Sequence, residues 1–389
     1  MRKRLLIIFS MLILAGCSTR DMYSFTNAAL SKDPSSAFGE LAKSKALAYS
    51  SNPQKLLSDI KAMDAFLEEF KKSISKIWGE DNIKIPQERE YVKYMQNYKS
   101  RALIDFDRGV VTVETLDDKN PKESLKNAIV TTLLLPDDPR SIDLFGSKPV
   151  KLGKTPYLLG EVKDDEQKNI RYSWRANRYA DILINKKIEQ KNIKKENKEL
   201  KVHFVNIPMV KDHADVRVTK FKPIVQKYAK KYQVSRNLLF AIIQTESNFN
   251  QFAVSKAGAI GLMQIVPSSA GKDAYLHVKG KRWTPTKSYL FNAANNIELG
   301  SVYLRLLDDK YLKGIKNPIS KEYCIISAYN TGSGNVLKTF DSNRESAVDI
   351  INKKTASEVF LELREKLPYV ETRRYLKKVV EYKKDFINI

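Results

Sequence analysis

The sequence predicts an α+β protein of two domains, a mixed α/β amino-terminal domain followed by a mostly α-helical one. Three observations carry this. The chain has 389 residues, 42% of them hydrophobic, which is enough for two separate cores. Apolar residues alternate as in strands in "RALIDFDRGVVTVETL" and "KVHFVNIPMV". Beyond about residue 215 the alternation stops, and nearly every segment has helical spacing with short breaks.

The chain starts "MRKRLLIIFSMLILAGC": basic Arg2, Lys3 and Arg4, an apolar run from Leu5 to Leu14, and small Ala15 and Gly16 before Cys17. This pattern is an export signal, too short for a comfortable membrane-spanning helix. "LAGC" resembles the bacterial lipobox, which implies lipidation of Cys17 as the mature N-terminus. Ser18, where an Asp would imply retention at the inner membrane, implies an outer-membrane protein facing the periplasm. Residues 1–16 are therefore expected to be a lipoprotein signal peptide, and 17–53, polar and small with "SKDPSS", the lipidated tether.

Residues 54–214 are expected to form a mixed α+β accessory domain. "LLSDIKAMDAFLEEFKKSISKIWG" has helical periodicity ending at Gly79. A strand pair follows, with Ile104 and Phe106 facing Val111 and Val113 across a turn near Arg108 and Gly109. "PKESLKNAIVTTLLLP" is a helix bounded by Pro121 and Pro136. The lysine-rich "KKIEQKNIKKENKELK" reads as an exposed helix tail or linker, and a strand from Lys201 closes the domain.

Net charge is +23, and removing Arg2, Lys3 and Arg4 with the signal leaves +20. Such a surplus points to an anionic partner or to a plain solvated basic surface. Export argues against nucleic acid and leaves lipid headgroups or the carboxylates of cell-wall peptide stems. Cys324, in the apolar run "EYCIISAYN", is expected to be a buried, inert thiol. His203, His213 and His277 form no HExxH or CxxC spacing, so neither a metal nor another cofactor is expected.

The chemistry concentrates in residues 215–389. In "SRNLLFAIIQTES" the apolar positions Leu239, Ile242 and Ile243 share a helix face, and Glu246 falls next on it. An acid at the end of an apolar stripe loses water and tends to hold its proton, as a general acid must. Gly258 and Gly261 in "AGAIGLMQ" mark tight backbone or close approach. "AYN" at 328–330 is followed by the turn "TGSG", and "LPYVETRRYLKKV" occupies 367–379.

Glu-Ser, then Gly-Leu-Met-Gln, then Ala-Tyr-Asn, then proline with Glu-Thr-Arg and a tyrosine resemble, in that order, the motifs of the soluble lytic transglycosylase family. The resemblance implies a lysozyme-like fold for 215–389. It also implies cleavage of peptidoglycan strands by one glutamate acting as acid and then as base. The substrate's acetamido and C6 hydroxyl groups would complete the reaction, leaving a 1,6-anhydromuramoyl end. Position by position, Glu246 would be the acid/base, and Ser255, Met263, Gln264, Tyr329, Asn330, Glu371 and Tyr375 would contact the saccharide.

Simpler roles stand beside these. Ser247 caps or turns the chain, Met263 fills core, and Glu371 with Arg373 forms a structural ion pair. Of the other acids, Asp273 reads as lying in a polar loop and Glu298 in a later helix, while Glu371 reaches Glu246 only through the fold. Two other readings remain open: a lysozyme-type hydrolase on the same fold, and a non-catalytic wall-binding lipoprotein.

Overall fold

The computed structural model of the chain describes residues 70–137, 146–255 and 258–389. The expected signal peptide, Cys17 and tether lie outside the described residues. By its contacts the chain divides into two compact units. One gathers residues up to 220 with 248–264 and 286–292; the other comprises 221–247, 265–285 and 293–389.

The first unit is built on a five-stranded antiparallel sheet: β1 (Glu90–Met95), β2 (Ser100–Asp105), β3 (Val110–Thr115), β4 (Glu189–Lys195) and β5 (Lys198–Pro208), in the order β1-β2-β3-β5-β4. Alternation along the strands aligns fully buried rows, Ala102–Val113–Val205 and Ile104–Val111–Ile207, where cross-strand pairing stabilises the sheet. Ile104 thus faces Val111 as the sequence predicts, but Val113 faces Ala102. Phe106 lies beyond β2, because the Asp105 carboxylate accepts from the backbone N–H groups of Asp107 and Arg108 at 3.0 and 2.9 Å and turns the chain there. Gly109 completes the turn at φ 64, and a Cβ on it would lie 2.6 Å from the His213 ring.

Directly opposed Arg101 and Glu114 lie on the sheet's other face, buried and bonded at 2.6 Å. The Arg101 guanidinium stacks 3.7 Å over Trp78, the last residue of helix α1 (70–78 among the described residues), before Gly79. Lys191 of β4 pairs with the second oxygen of Glu114. Helices α2 (Pro121–Leu133) and α3 (Ser173–Lys187) lie against the sheet, α2 burying Leu125, Ala128, Ile129 and Leu133.

The lysine-rich stretch corrects the expectation of a helix tail or linker, for it is the β4–β5 hairpin. Its exposed face carries lysines at positions where apolar residues would have revealed the alternation. Lysine suits an edge strand, whose unpaired backbone must resist pairing with other chains.

The second unit is helical. Its elements are the later part of α4 (His213–Tyr232), α5 (Arg236–Ser247), α6 (Ala270–Lys279), α8 (Ala293–Leu306), α9 (Pro318–Thr331), α10 (Ser333–Lys338), α11 (Arg344–Lys353), α12 (Ala356–Lys366) and α13 (Val370–Asp385); the short α7 (Lys287–Phe291) belongs to the first unit. The ends follow local chemistry. The Asn317 side chain caps α9 ahead of Pro318, and Thr355 with Glu358 forms a capping box on α12. Asp273 sits in the first turn of α6, not in a loop, where its charge suits the helix N-terminus. Cys324 is fully buried in α9, and burial pushes its thiol up to about 12. No helix among the described residues is long and apolar enough to cross a membrane.

Candidate active site

In the helical unit, α5 buries Leu238 through Ile243 without interruption, and Glu246 follows in its last turn, half-buried. The helix stops there because Asn248 and Phe249 take left-handed φ values of 47° and 60°. Ser247 is buried, and its hydroxyl donates back to the Ile243 carbonyl at 3.1 Å, so it bonds within its own helix.

Helix α13 buries Thr372, Tyr375, Leu376 and Val379, a helical stripe that sets it against α5 and α9. The packing brings two motifs together. The Tyr375 hydroxyl donates to Glu246 Oε1 at 2.7 Å, and Thr372 Oγ1 donates to Asn330 Oδ1 at 2.6 Å. Asn330 comes just before the end of α9, which Gly332 closes at φ 85. The Tyr329 ring lies 5.7 Å from that of Tyr303 on α8.

Burial first, and then the Glu246 charge, push the Tyr329 and Tyr375 hydroxyls well above the ordinary tyrosine range, so both stay protonated as donors. The terminal motif's other members point elsewhere. Glu371 is exposed one turn before Tyr375, and Arg373 donates to the Glu365 carbonyl at 2.9 Å rather than forming the expected ion pair.

The Gly-Leu-Met-Gln segment belongs to the sheet-containing unit. Its loop is tied down by buried Asn250, which donates to the Glu88 carbonyl at 3.1 Å and accepts from the Tyr157 hydroxyl at 3.2 Å. Asn248 donates to Asp107 at 2.8 Å, and Phe252 packs 4.9 Å from the Tyr157 ring. Ser255 is half-buried, its hydroxyl accepting from the Ala259 N–H at 3.0 Å.

Gly261 takes φ 77, and Gln264 takes φ 45, a conformation that costs a non-glycine residue about 1 kcal/mol or more. Gln264 Nε2 donates to the Gly261 carbonyl at 2.9 Å, while its Oε1 is buried with no hydrogen-bond partner among the described residues. Gln264 thus combines a strained backbone with a buried amide oxygen that no described group satisfies. Met263 is fully buried and fills core.

Sequence reasoning missed Thr372, Tyr303 and Asn250. Thr372 lay inside the quoted terminal motif, whereas Tyr303 carried no local signal. Asn250 follows the Glu-Ser pair, and its buried amide was legible only as "NFN". No cluster of side chains able to hold a metal ion occurs among the described residues.

Comparison with known proteins agrees across the chain. Residues 56–220 match the family described as the N-terminal domain of membrane-bound lytic murein transglycosylase C, and residues 223–352 match the transglycosylase SLT domain. The chain is 42% identical over 332 residues to membrane-bound lytic murein transglycosylase C of Klebsiella pneumoniae (strain 342), covering 85% of this chain and 91% of that one. It is 41% identical over 331 residues to the protein of that name from Yersinia pestis (strain Pestoides F), with the same coverage of 85% and 91%. An inactive mutant of lytic transglycosylase Slt from Pseudomonas aeruginosa aligns at 26% identity over 42% of this chain and 23% of that one, with a TM-score of 0.32, too low to carry an argument.

Proposed function

This chain belongs to the membrane-bound lytic murein transglycosylase C family, and from that premise we propose how its residues carry out the reaction. The substrate is peptidoglycan, cut at the β-1,4 bond between N-acetylmuramic acid and N-acetylglucosamine. The Glu246 carboxylic acid gives its proton to the glycosidic oxygen as the bond to muramoyl C1 breaks. The resulting carboxylate then takes the proton of the C6 hydroxyl as that oxygen bonds to C1. The proton lost is regained, a 1,6-anhydromuramoyl end forms, and no water is consumed.

The observation that carries this reading is the Glu246–Tyr375 hydrogen bond at the apolar end of α5. The tyrosine holds Oε1 and so fixes the carboxyl group that would deliver the proton. By their place in the motifs, Tyr329, Asn330, Gln264, Ser255 and Glu371 each offer a donor or acceptor suited to saccharide acetamido and hydroxyl groups. In this reading 215–389 is the catalytic domain, and 54–214 is an accessory domain that supports the loop of residues 248–264. Lipidation of Cys17 would hold the chain on the outer membrane, facing the periplasm and the wall.

The test is product analysis on purified sacculi. The wild-type chain should release anhydromuropeptides, each lighter by one water than a hydrolase product, and Glu246→Gln should release none, since general acid catalysis alone contributes about 10²- to 10⁴-fold. Reducing muramic acid ends would establish a hydrolase, and no product from the wild-type chain would indicate a binding protein.

A further inference from the structure

Helix α6 and the loop after it carry a surface that the reaction does not use. The helix turns Ala274 and Gly271 inward and presents Lys272, Leu276 and Lys279 outward. Gly280 ends it in the left-handed conformation, its N–H donating to the Leu276 carbonyl at 2.8 Å, and the chain folds back through Lys281 and Arg282. The Trp283 ring thereby comes to rest 4.7 Å from the Tyr275 ring, tilted by 53°. Trp283 is 37% exposed and Leu276 38%, well above what a large apolar side chain in a core would show.

The rim is strongly cationic. Lys272, His277, Lys279, Lys281 and Arg282 are all exposed, and none of the lysines or Arg282 forms an ion pair among the described residues. The one acid in this stretch, Asp273, accepts from the Tyr311 hydroxyl at 3.2 Å.

We propose that the Tyr275–Trp283 pair with its lysine and arginine rim binds the glycan strand away from the reacting bond, its rings against pyranose faces and its cations against the carboxylates of the peptide stems. This rests on the peptidoglycan reading above. Charge complementarity and ring chemistry together select that occupant. A saccharide presents apolar C–H faces that suit an exposed indole, and a peptide-substituted strand adds the anions that the unpaired cations lack. An anionic membrane surface would satisfy the cations and is the competing source of charge.

The experiment uses the full chain carrying Glu246→Gln, so that binding is read without turnover, and measures sedimentation with purified sacculi across a salt series. Trp283→Ala in this background should weaken binding about tenfold, the scale of one ring contact, and Trp283→Phe should restore most of it. Lys281→Ala with Arg282→Ala should weaken binding at low salt and flatten its salt dependence. Vesicles of phosphatidylethanolamine and phosphatidylglycerol should bind the parent and the Trp283→Ala chain equally. Unchanged sacculus binding in both sets of variants overturns the proposal, and so does an equal loss on vesicles, which would assign the surface to a membrane. Failure of the catalytic reading would appear separately, as anhydro products made by the Glu246→Gln chain itself.

Discussion

The Tyr375 hydroxyl donates to Glu246 Oε1 at 2.7 Å, joining residues 129 positions apart at the meeting of α5 and α13. A phenol kept protonated by burial is a fixed donor, so it holds the carboxylate in one rotamer and one orientation. Tyr375→Phe keeps the ring and its packing. A hydrogen bond to a charged group contributes about 1.5–3 kcal/mol, so kcat/KM on sacculi should fall by roughly 10- to 100-fold while the thermal midpoint moves little. Undiminished kcat/KM would remove Tyr375 from the positioning of Glu246.

Thr372 holds the Asn330 amide through the 2.6 Å bond from its buried hydroxyl. Thr372→Val is nearly isosteric and deletes the donor, which frees the amide to turn. Turnover should drop about tenfold, and Thr372→Ser, which keeps the hydroxyl, should recover most of it. Equal activity in the Val and Ser variants would show that the bond is only structural.

Asn250 joins the loop of residues 248–264 to Glu88 and Tyr157 within the sheet-containing unit. Asn250→Ala leaves the Phe252 N–H and the Tyr157 hydroxyl without their acceptor, and each unsatisfied buried group costs about 1–3 kcal/mol. Hydrogen exchange should accelerate across 248–264 before it does in α5 or α13. Uniform acceleration over the whole chain would mean that the loop has no independent stability to lose.

The Glu114 carboxyl would be raised by its burial, but the Arg101 charge and the hydrogen bonds from Lys191 and Arg101 bring it below the ordinary carboxylate range. A group with a lowered folded-state pKa adds stability above its unfolded value, about 4.3, and loses it as pH falls through the folded value. Glu114→Gln should therefore destabilise the chain most at neutral pH, by about 3–5 kcal/mol, since it leaves Arg101 buried without its charge partner. The gap between the two chains should close in acid, as followed by denaturant midpoints against pH; a gap that widens toward low pH reverses the sign and refutes the assignment.

Cys324, buried and with its thiol pushed up to about 12, should resist alkylation in the native chain at pH 8 and react only on unfolding. Labelling in the native state at the rate of a free thiol would show that α9 opens locally.

Much of this was legible in the sequence because it depends on neighbours along the chain. The apolar stripe that ends at Glu246, the Pro121 start of α2, the glycine turns and the alternation of β3 and β5 are short-range patterns, and the ordered motifs singled out Glu246, Gln264, Tyr329, Asn330 and Tyr375 as candidates. The β4–β5 hairpin was hidden because an edge strand faces water along its length, so lysines replaced the apolar period that would have announced it.

Only the tertiary structure decided which of these residues touch. That Tyr375 reaches Glu246, that Thr372 rather than Glu371 or Arg373 engages Asn330, and that the loop after Glu246 is built onto the sheet through Asn250 all depend on how helices and strands far apart in sequence pack. Helical periodicity says which face of an element is buried. Which side chains meet there is set by the ridges and hydrogen-bond partners that the neighbouring element presents.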